Sequence, residues 1–413
     1  MHDTLVMNIG ELLLPMKSPV PLKGERMKEL AVKRRAAFAV KDGHVSWIGA
    51  DDPAFFPDAA ETIDVGGKVV SPGLVDCHTH LVHGGSRENE LALKQSGLDY
   101  LEILKQGGGI LSTVKATREA GADELFEKAA KHLRRMMSHG TTTVESKSGY
   151  GLDRETELKQ LLVAKRLSEH FPLRMVSTFL GPHALPPAFS GKEDDFIAYM
   201  CRLAAEVADK KLASFADIFC EHGVFTTEQA KTFLQHAKAC GLGVKIHCDE
   251  IVSLGGTELA VELNAASADH AVAASDRAIG LLAQSETVAV LLPGTTFYLG
   301  KNEYARARTI IDCGGAVALA TDFNPGSCVT ENLQMIMSLA ALRLKMTAEE
   351  IWNAVTVNAA HAIGLGESAG SLAIGAQADF VVWDIPNYAY LPYHFAVNHA
   401  DAVYIKGKRI LDC

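Results

Sequence analysis

Gly73-Leu74-Val75-Asp76-Cys77-His78-Thr79-His80 is an apolar run that breaks into ionisable side chains at its far end. Residues 73–76 read as a buried strand, and the histidines follow where that strand would stop. The pattern returns at 142–145, 175–180, 216–220, 243–246, 266–269, 288–292 and 316–320. Helical stretches lie between several of these strands. Leu125, Phe126, Ala129, Leu133, Met136 and Met137 share one face at helical spacing, ending at Gly140. Thr226-x-x-Gln229 and Thr347-x-x-Glu350 are capping boxes, Met346 and Ile351 are spaced as a hydrophobic staple, and Gly241 would stop the helix begun at Thr226. Eight strands alternating with helices predict a (β/α)8 barrel over 71–365, given the ~250-residue norm plus insertions. A doubly wound open sheet is the runner-up, but no GxGxxG or GxxxxGK[ST] follows any strand.

Outside that region the texture changes. Ala37-Phe38-Ala39-Val40, His44-Val45-Ser46-Trp47-Ile48, Phe380-Val381-Val382-Trp383 and Ala402-Val403-Tyr404-Ile405 are short β-like runs. Turn formers separate them at Asp42-Gly43, Gly66-Gly67, Pro386-Asn387 and Gly407-Lys408. Residues 1–70 and 366–413 are therefore expected to form one small composite β-sandwich domain built from both termini.

Composition narrows the class of protein. Forty Lys and Arg against fifty Asp and Glu leave a net charge of −10 in 413 residues, and there is no basic block, which disfavours nucleic acid and anionic lipid as partners. The cysteines at 77, 201, 220, 240, 248, 313, 328 and 413 form no CxxC pair, so reduced thiols in a cytoplasmic protein are expected. Leu12-Leu13-Leu14 stops at Pro15 behind Asp3 and Glu11, unlike a signal peptide, and no apolar stretch approaches the ~20 residues that span a bilayer. A soluble enzyme is the expectation.

Its chemistry should sit at the strand ends. Asp76 to His80, Glu145-Ser146-Lys147, Gly181-Pro182-His183, Glu221-His222, His247 to Glu250, Asp269-His270 and Thr321 to Asn324 all follow predicted strands. In a barrel those ends open on one face. His78 and His80, two apart on extended chain, point the same way and can reach one cation. A lone HxH is more often two ordinary histidines. With His247 and Asp322 ending later strands, three imidazoles and a carboxylate make a site for one zinc or iron ion.

These motifs resemble the amidohydrolase superfamily of metal-dependent hydrolases, as does Gly370-Ser371-Leu372-x-x-Gly375-x-x-Ala378-Asp379 in the return to the β domain. Longer stretches are similar to the branch that opens the imidazolone ring in histidine degradation. They are His78 to Glu90, Gly107-Gly108-Gly109-Ile110-x-Ser112-Thr113-Val114, Glu145 to Leu152, and Ala320 to Ser327. The resemblance implies a (β/α)8 barrel, hydrolysis of 4-imidazolone-5-propanoate to N-formimidoyl-L-glutamate, and a homodimer. It implies a metal on His78, His80, His247 and Asp322, with Glu250, His270 and Asp322 as catalytic groups. Substrate contacts would come from Arg87, Tyr150, His183 and Glu250, and contacts to the product's glutamate end from Asn324, Gly326 and Ser327.

Some positions depart from that pattern or have plainer readings. His83 stands where an apolar residue is expected. The fourth strand end, Cys220-Glu221-His222, has no lysine for a second metal, so a mononuclear site is favoured, although Glu221 keeps a second ion open. Cys77 and Cys248, as strand neighbours of ligands, should be packed thiols pointing away. Gly107-Gly108-Gly109 has no strand before it and no Lys-Ser/Thr after it, so it reads as a mobile loop over the site rather than a phosphate cradle. Two alternatives stay open: a purine or cytosine deaminase on the same metal frame, which would not need Arg87, and a non-catalytic scaffold, which would be expected to have lost ligands.

Overall fold

The protein is described by a computed structural model covering residues 1–96 and 108–412; Gly107 and Cys413 lie outside the described residues. The chain begins in a terminal sheet with β1 (His2–Pro15), β2 (Leu30–Lys41), β3 (His44–Ala50), β4 (Ala59–Asp64) and β5 (Val69–Pro72). It then enters the barrel through β6 (Leu74–Asp76), β7 (Thr141–Lys147), β8 (Arg174–Phe179), β9 (Phe215–Ala216), β10 (Phe219–Cys220), β11 (Gly243–Cys248), β12 (Ser267–His270), β13 (Val288–Leu291) and β14 (Ala316–Leu319). It returns to the terminal sheet as β15 (Phe380–Trp383), β16 (Ala400–Ile405) and β17 (Lys408–Asp412).

Barrel neighbours pair in parallel in chain order, with β9 and β10 as two halves of one stave against β11. That makes eight staves, as expected from the sequence. Closure occurs beyond the ends of β6 and β14. There the N–H of Asp322 donates to the carbonyl of His78 at 3.0 Å, and the N–H of His80 donates to the carbonyl of Phe323 at 2.8 Å. The seam that closes the barrel therefore brings Asp322 beside the two histidines.

The helices outside form for local reasons. The helix Ala122–Ser138 buries the six apolar residues that the periodicity picked out. Both capping boxes are made, at Thr226 with Gln229 and at Thr347 with Glu350. Gly241, at φ 90°, ends its helix while the N–H of Leu242 reaches back to the carbonyl of Ala237, a Schellman closure.

The terminal β region is one continuous eight-stranded sheet rather than two separate ones. It curls on itself: Phe38 on β2 meets Phe380 on β15 edge to face at 5.1 Å, although β1 and β5 lie between them in the sheet. Asp42-Gly43 makes the expected tight hairpin, both residues at positive φ. The later turn is Lys406-Gly407, one residue earlier than Gly407-Lys408, since Lys408 already belongs to β17. Trp383 packs against Trp352 of the barrel's outer helices at 5.9 Å, joining the two parts.

Candidate active site

Alternation along the barrel strands aims every second side chain inward. His78, His80, His247 and Asp322 are all buried around one point. The His78 ring lies 4.4 Å from that of His247 and 5.4 Å from that of His80. Nε2 of His78 and Nε2 of His80 are each 3.4 Å from Oδ1 of Asp322. Asp322 is held at φ 53°, and its other oxygen, Oδ2, accepts from the Thr295 hydroxyl at 2.5 Å.

Several ring nitrogens here have no partner. Among the described residues, Nε2 of His78, Nδ1 of His80 and Nε2 of His247 are buried without a hydrogen bond. An orphaned buried polar atom costs about 1–3 kcal/mol, so unpaired nitrogens on three adjacent rings call for a partner. A cation supplies one. The donor set fits: candidate ligand atoms of His78, His80 and Asp322 lie within 4.8 Å of one another, as do those of His78, His247 and His270. Burial lowers the pKa of His80 and brings His247 down to about 3, leaving neutral imidazoles able to donate a lone pair. At His78 burial is outweighed by Asp269 and Asp322, which raise it to about 9, so a cation binding there would displace a proton.

The outer nitrogens of two of these rings face carboxylates. Nδ1 of His78 pairs with Oδ2 of Asp269 at 2.6 Å. Nδ1 of His247 lies 2.9 Å from Oδ2 of Asp217, without hydrogen-bond alignment. Carboxylates in this position fix the tautomer and ring orientation of a ligating histidine. Beneath them, Nζ of Lys147 touches Asp217 at 2.8 Å, Glu145 at 3.0 Å and Asp269 at 3.4 Å, and Lys245 lies 3.3 Å from Glu145. All five charged side chains are completely buried.

This floor was not anticipated. Glu145 and Lys147 read as residues just past a strand end on the open face, but β7 runs through Lys147 and both are completely buried beneath the imidazoles. Asp217 and Lys245 were missed altogether. A signal existed: Lys245 sits two residues before His247 on one strand, hence on the same face.

Glu250 and His270 stand at the mouth, Oε2 to Nε2 3.7 Å. His183 stacks on His80 at 4.9 Å, and Tyr150 lies 5.7 Å from His80 and 5.3 Å from His183. Arg87 is not the open fork expected. Its Nε and Nη2 are taken by Glu90 at 2.9 and 2.8 Å. Asn324 spends its amide on its own loop: Oδ1 accepts from the N–H groups of Gly326 and Ser327 and Nδ2 donates to the carbonyl of Asp322.

Remaining positions have structural occupations. Nδ1 of His83 is 3.0 Å from the carbonyl of His80, and burial holds its pKa well below the usual value. Glu221 accepts the N–H groups of His222 and Ile251, while His222 is exposed. Cys77 and Cys248 are buried, and burial pushes both thiols well up.

A model of the amidohydrolase family matches residues 69–410. The imidazolonepropionase of Bacillus thuringiensis (strain Al Hakam) is 57% identical over 407 residues, 98% of this chain and 96% of that one. That of Bacillus velezensis is 57% identical over 409 residues, 99% and 97% of the two chains. Among solved structures, an adenosine deaminase from Xanthomonas campestris with bound zinc superposes with TM-score 0.75, covering 99% of this chain and 92% of that one at 19% identity. The guanine deaminase of E. coli gives 0.74, covering 99% of both at 16% identity. At such identities these two structures speak for the fold alone.

Proposed function

The chain belongs to the amidohydrolase family and, within it, to the imidazolonepropionases, and from that premise we infer that it hydrolyses the ring amide C–N bond of 4-imidazolone-5-propanoate to N-formimidoyl-L-glutamate in histidine catabolism. The observation that carries the chemistry is the buried cluster in which Nε2 of His78 and of His80 stand 3.4 Å from Oδ1 of Asp322, with the His247 ring 4.4 Å from that of His78 and several ring nitrogens left unpaired. His78, His80, His247 and Asp322 would hold one metal ion, and three nitrogens with one oxygen suit zinc or iron. Bound there, the ion supplies Lewis acidity, polarising an amide carbonyl and bringing the pKa of a water from ~15.7 toward ~7.

The chain's own groups do the rest. Thr295 fixes Oδ2 of Asp322, so Oδ1 is the oxygen turned to the imidazoles. Glu250 and His270, 3.7 Å apart at the mouth, are the groups to which we assign the proton taken from water and returned to the ring nitrogen that leaves. The flat face of His183 and the ring of Tyr150 suit a planar heterocycle beside His80. Arg87, with Gly326 against it, would face the propionate arm, and Ser327 follows in the same loop. The working form we propose is a cytoplasmic homodimer acting on this small molecule without nucleic acid or membrane. The charge of −10 supports the exclusion of polyanions, and among the described residues no helix is long and apolar enough to cross a membrane.

Loss of the ultraviolet absorbance of 4-imidazolone-5-propanoate, followed with metal-loaded and metal-stripped protein, tests the reading. Turnover is expected only with metal, and Arg87→Ala should raise KM at least tenfold, the loss of a charge-assisted pair. No turnover by protein shown to carry metal would remove the substrate, and an Arg87→Ala variant of near-normal KM would point to a deaminase-type substrate instead.

A further inference from the structure

Glu90 engages more than a surface ion pair would. Its side chain is only 8% exposed, and that of Arg87 only 11%. Two parallel hydrogen bonds join them, and Oε1 of Glu90 also accepts the N–H of Gly109 at 2.7 Å. One carboxylate thus ties together the segment after β6, the start of the helix Asn89–Gln95 and the glycine that leads into the helix Ile110–Glu119.

A guanidinium has five N–H donors arranged along two usable edges. Glu90 takes the edge made by Nε and Nη2, leaving the edge made by Nη1 and Nη2. Gly326 lies over the face of the guanidinium near Nη1: a Cβ built there would lie 2.0 Å from Nη1, 2.6 Å from Cζ and 3.1 Å from Nη2 of Arg87, so the glycine covers the face and not that edge. The cation is also close enough to Tyr150 to oppose the effect of burial on its phenol. So the guanidinium lies against the loop that follows Asp322 and near Tyr150, whose ring is 5.7 Å from that of His80.

We propose that Glu90 is a positioning residue for carboxylate recognition, presenting the free edge of Arg87 to the carboxylate of the substrate in one fixed orientation. The proposal rests on the imidazolonepropionase reading for the identity of that substrate. Because the Arg87–Glu90 pair is neutral, recognition depends on the direction of two hydrogen bonds more than on net attraction.

Calorimetry on the metal-loaded protein with two unreactive ligands separates the possibilities. 3-(Imidazol-4-yl)propanoate carries the arm and 4-methylimidazole lacks it, while both offer the same ring. Glu90→Gln should weaken the propanoate ligand about ten- to hundredfold, as a misdirected bidentate contact would. Binding of 4-methylimidazole should change less than about twofold. In turnover the same variant should raise KM with little change in kcat. Equal weakening of both ligands would make Glu90 a general structural residue, and tighter propanoate binding would make it a competitor for Arg87; either overturns the proposal. If circular dichroism shows that Glu90→Gln does not fold, Glu90→Asp keeps the charge, shortens the reach and must give the same selective loss. A parent protein that binds both ligands equally also overturns it. If the ligand contrast holds but 4-imidazolone-5-propanoate is not hydrolysed, the substrate assignment fails and the role of Glu90 stands.

Discussion

Lys147 shows what a single residue does under the metal site. A completely buried ammonium is tolerated only with compensating charge, and here Asp217, Glu145 and Asp269 surround it. Burial would lower its pKa, but those three carboxylates raise it well above the ordinary value, so the residue is a permanent cation. In return, Asp217 is held well below the usual carboxylate range, burial being outweighed by His247 and Lys147. Asp269 is likewise held low, burial being outweighed by Lys245, Lys147 and His78, so Asp217 and Asp269 stay anionic and each faces Nδ1 of a candidate ligand. Removing one partner from such a network costs about 3–5 kcal/mol, because the remaining charges stay buried and unpaired. Lys147→Met should therefore lower the unfolding free energy measured by urea titration by an amount of that order or prevent folding. A variant as stable as the parent would show that the network is not what compensates these charges. The sequence displayed Lys147 inside a recognisable motif but not its direction, which depends on how far β7 continues.

At the level of elements, much of the site followed from period and spacing. Two histidines two residues apart on a strand, a third ending the fifth stave and an aspartate after the eighth needed only the barrel's closure to converge, and the backbone bonds at His78 and His80 provide it. Less legible were contacts between elements far apart in sequence, because no periodicity encodes them. The clearest joins the helix Ala122–Ser138 to the loop after Asp322. There Nδ1 of His132 bonds Oε1 of Glu331 at 2.6 Å, Arg135 adds a contact at 3.3 Å, and the His132 ring lies 4.6 Å from Phe323. Burial would raise the pKa of Glu331, but His132 outweighs it and the value falls below 4.5. A depressed carboxylate stabilises the fold above its unfolded pKa, and that contribution disappears as pH falls through the folded value. Glu331→Gln should thus cost about 1–2 kcal/mol at pH 7, the size of a hydrogen bond to a charged group. Its deficit against the parent should close as pH falls below 4.5. Denaturant titrations of both proteins between pH 3 and 7 measure this, and a constant gap would show that the charge of Glu331 is not involved.

For the whole molecule, charge sets a problem that the fold must answer: an anionic substrate approaches a protein of net charge −10. Close in, the charges nearly cancel. Glu90 neutralises Arg87, and a divalent ion on three imidazoles would be balanced by Asp322 and Glu250. Had Arg87 been the bare cation that its sequence context suggests, local attraction would dominate and added salt would weaken binding. With that cation paired, the long-range field of the surface remains, and it repels. The Debye length falls from ~30 Å at 0.01 M salt to ~8 Å at 0.15 M, which removes most of this repulsion but leaves contacts inside the pocket intact. Over that range kcat/KM for 4-imidazolone-5-propanoate should rise, by about twofold for a weak screened field. A substrate analogue without the carboxylate should show no such rise, which separates charge screening from a general effect of salt on the enzyme. A fall in kcat/KM with salt would mean instead that Arg87 acts as an unpaired cation toward the incoming anion, and that the contact with Glu90 opens before substrate arrives.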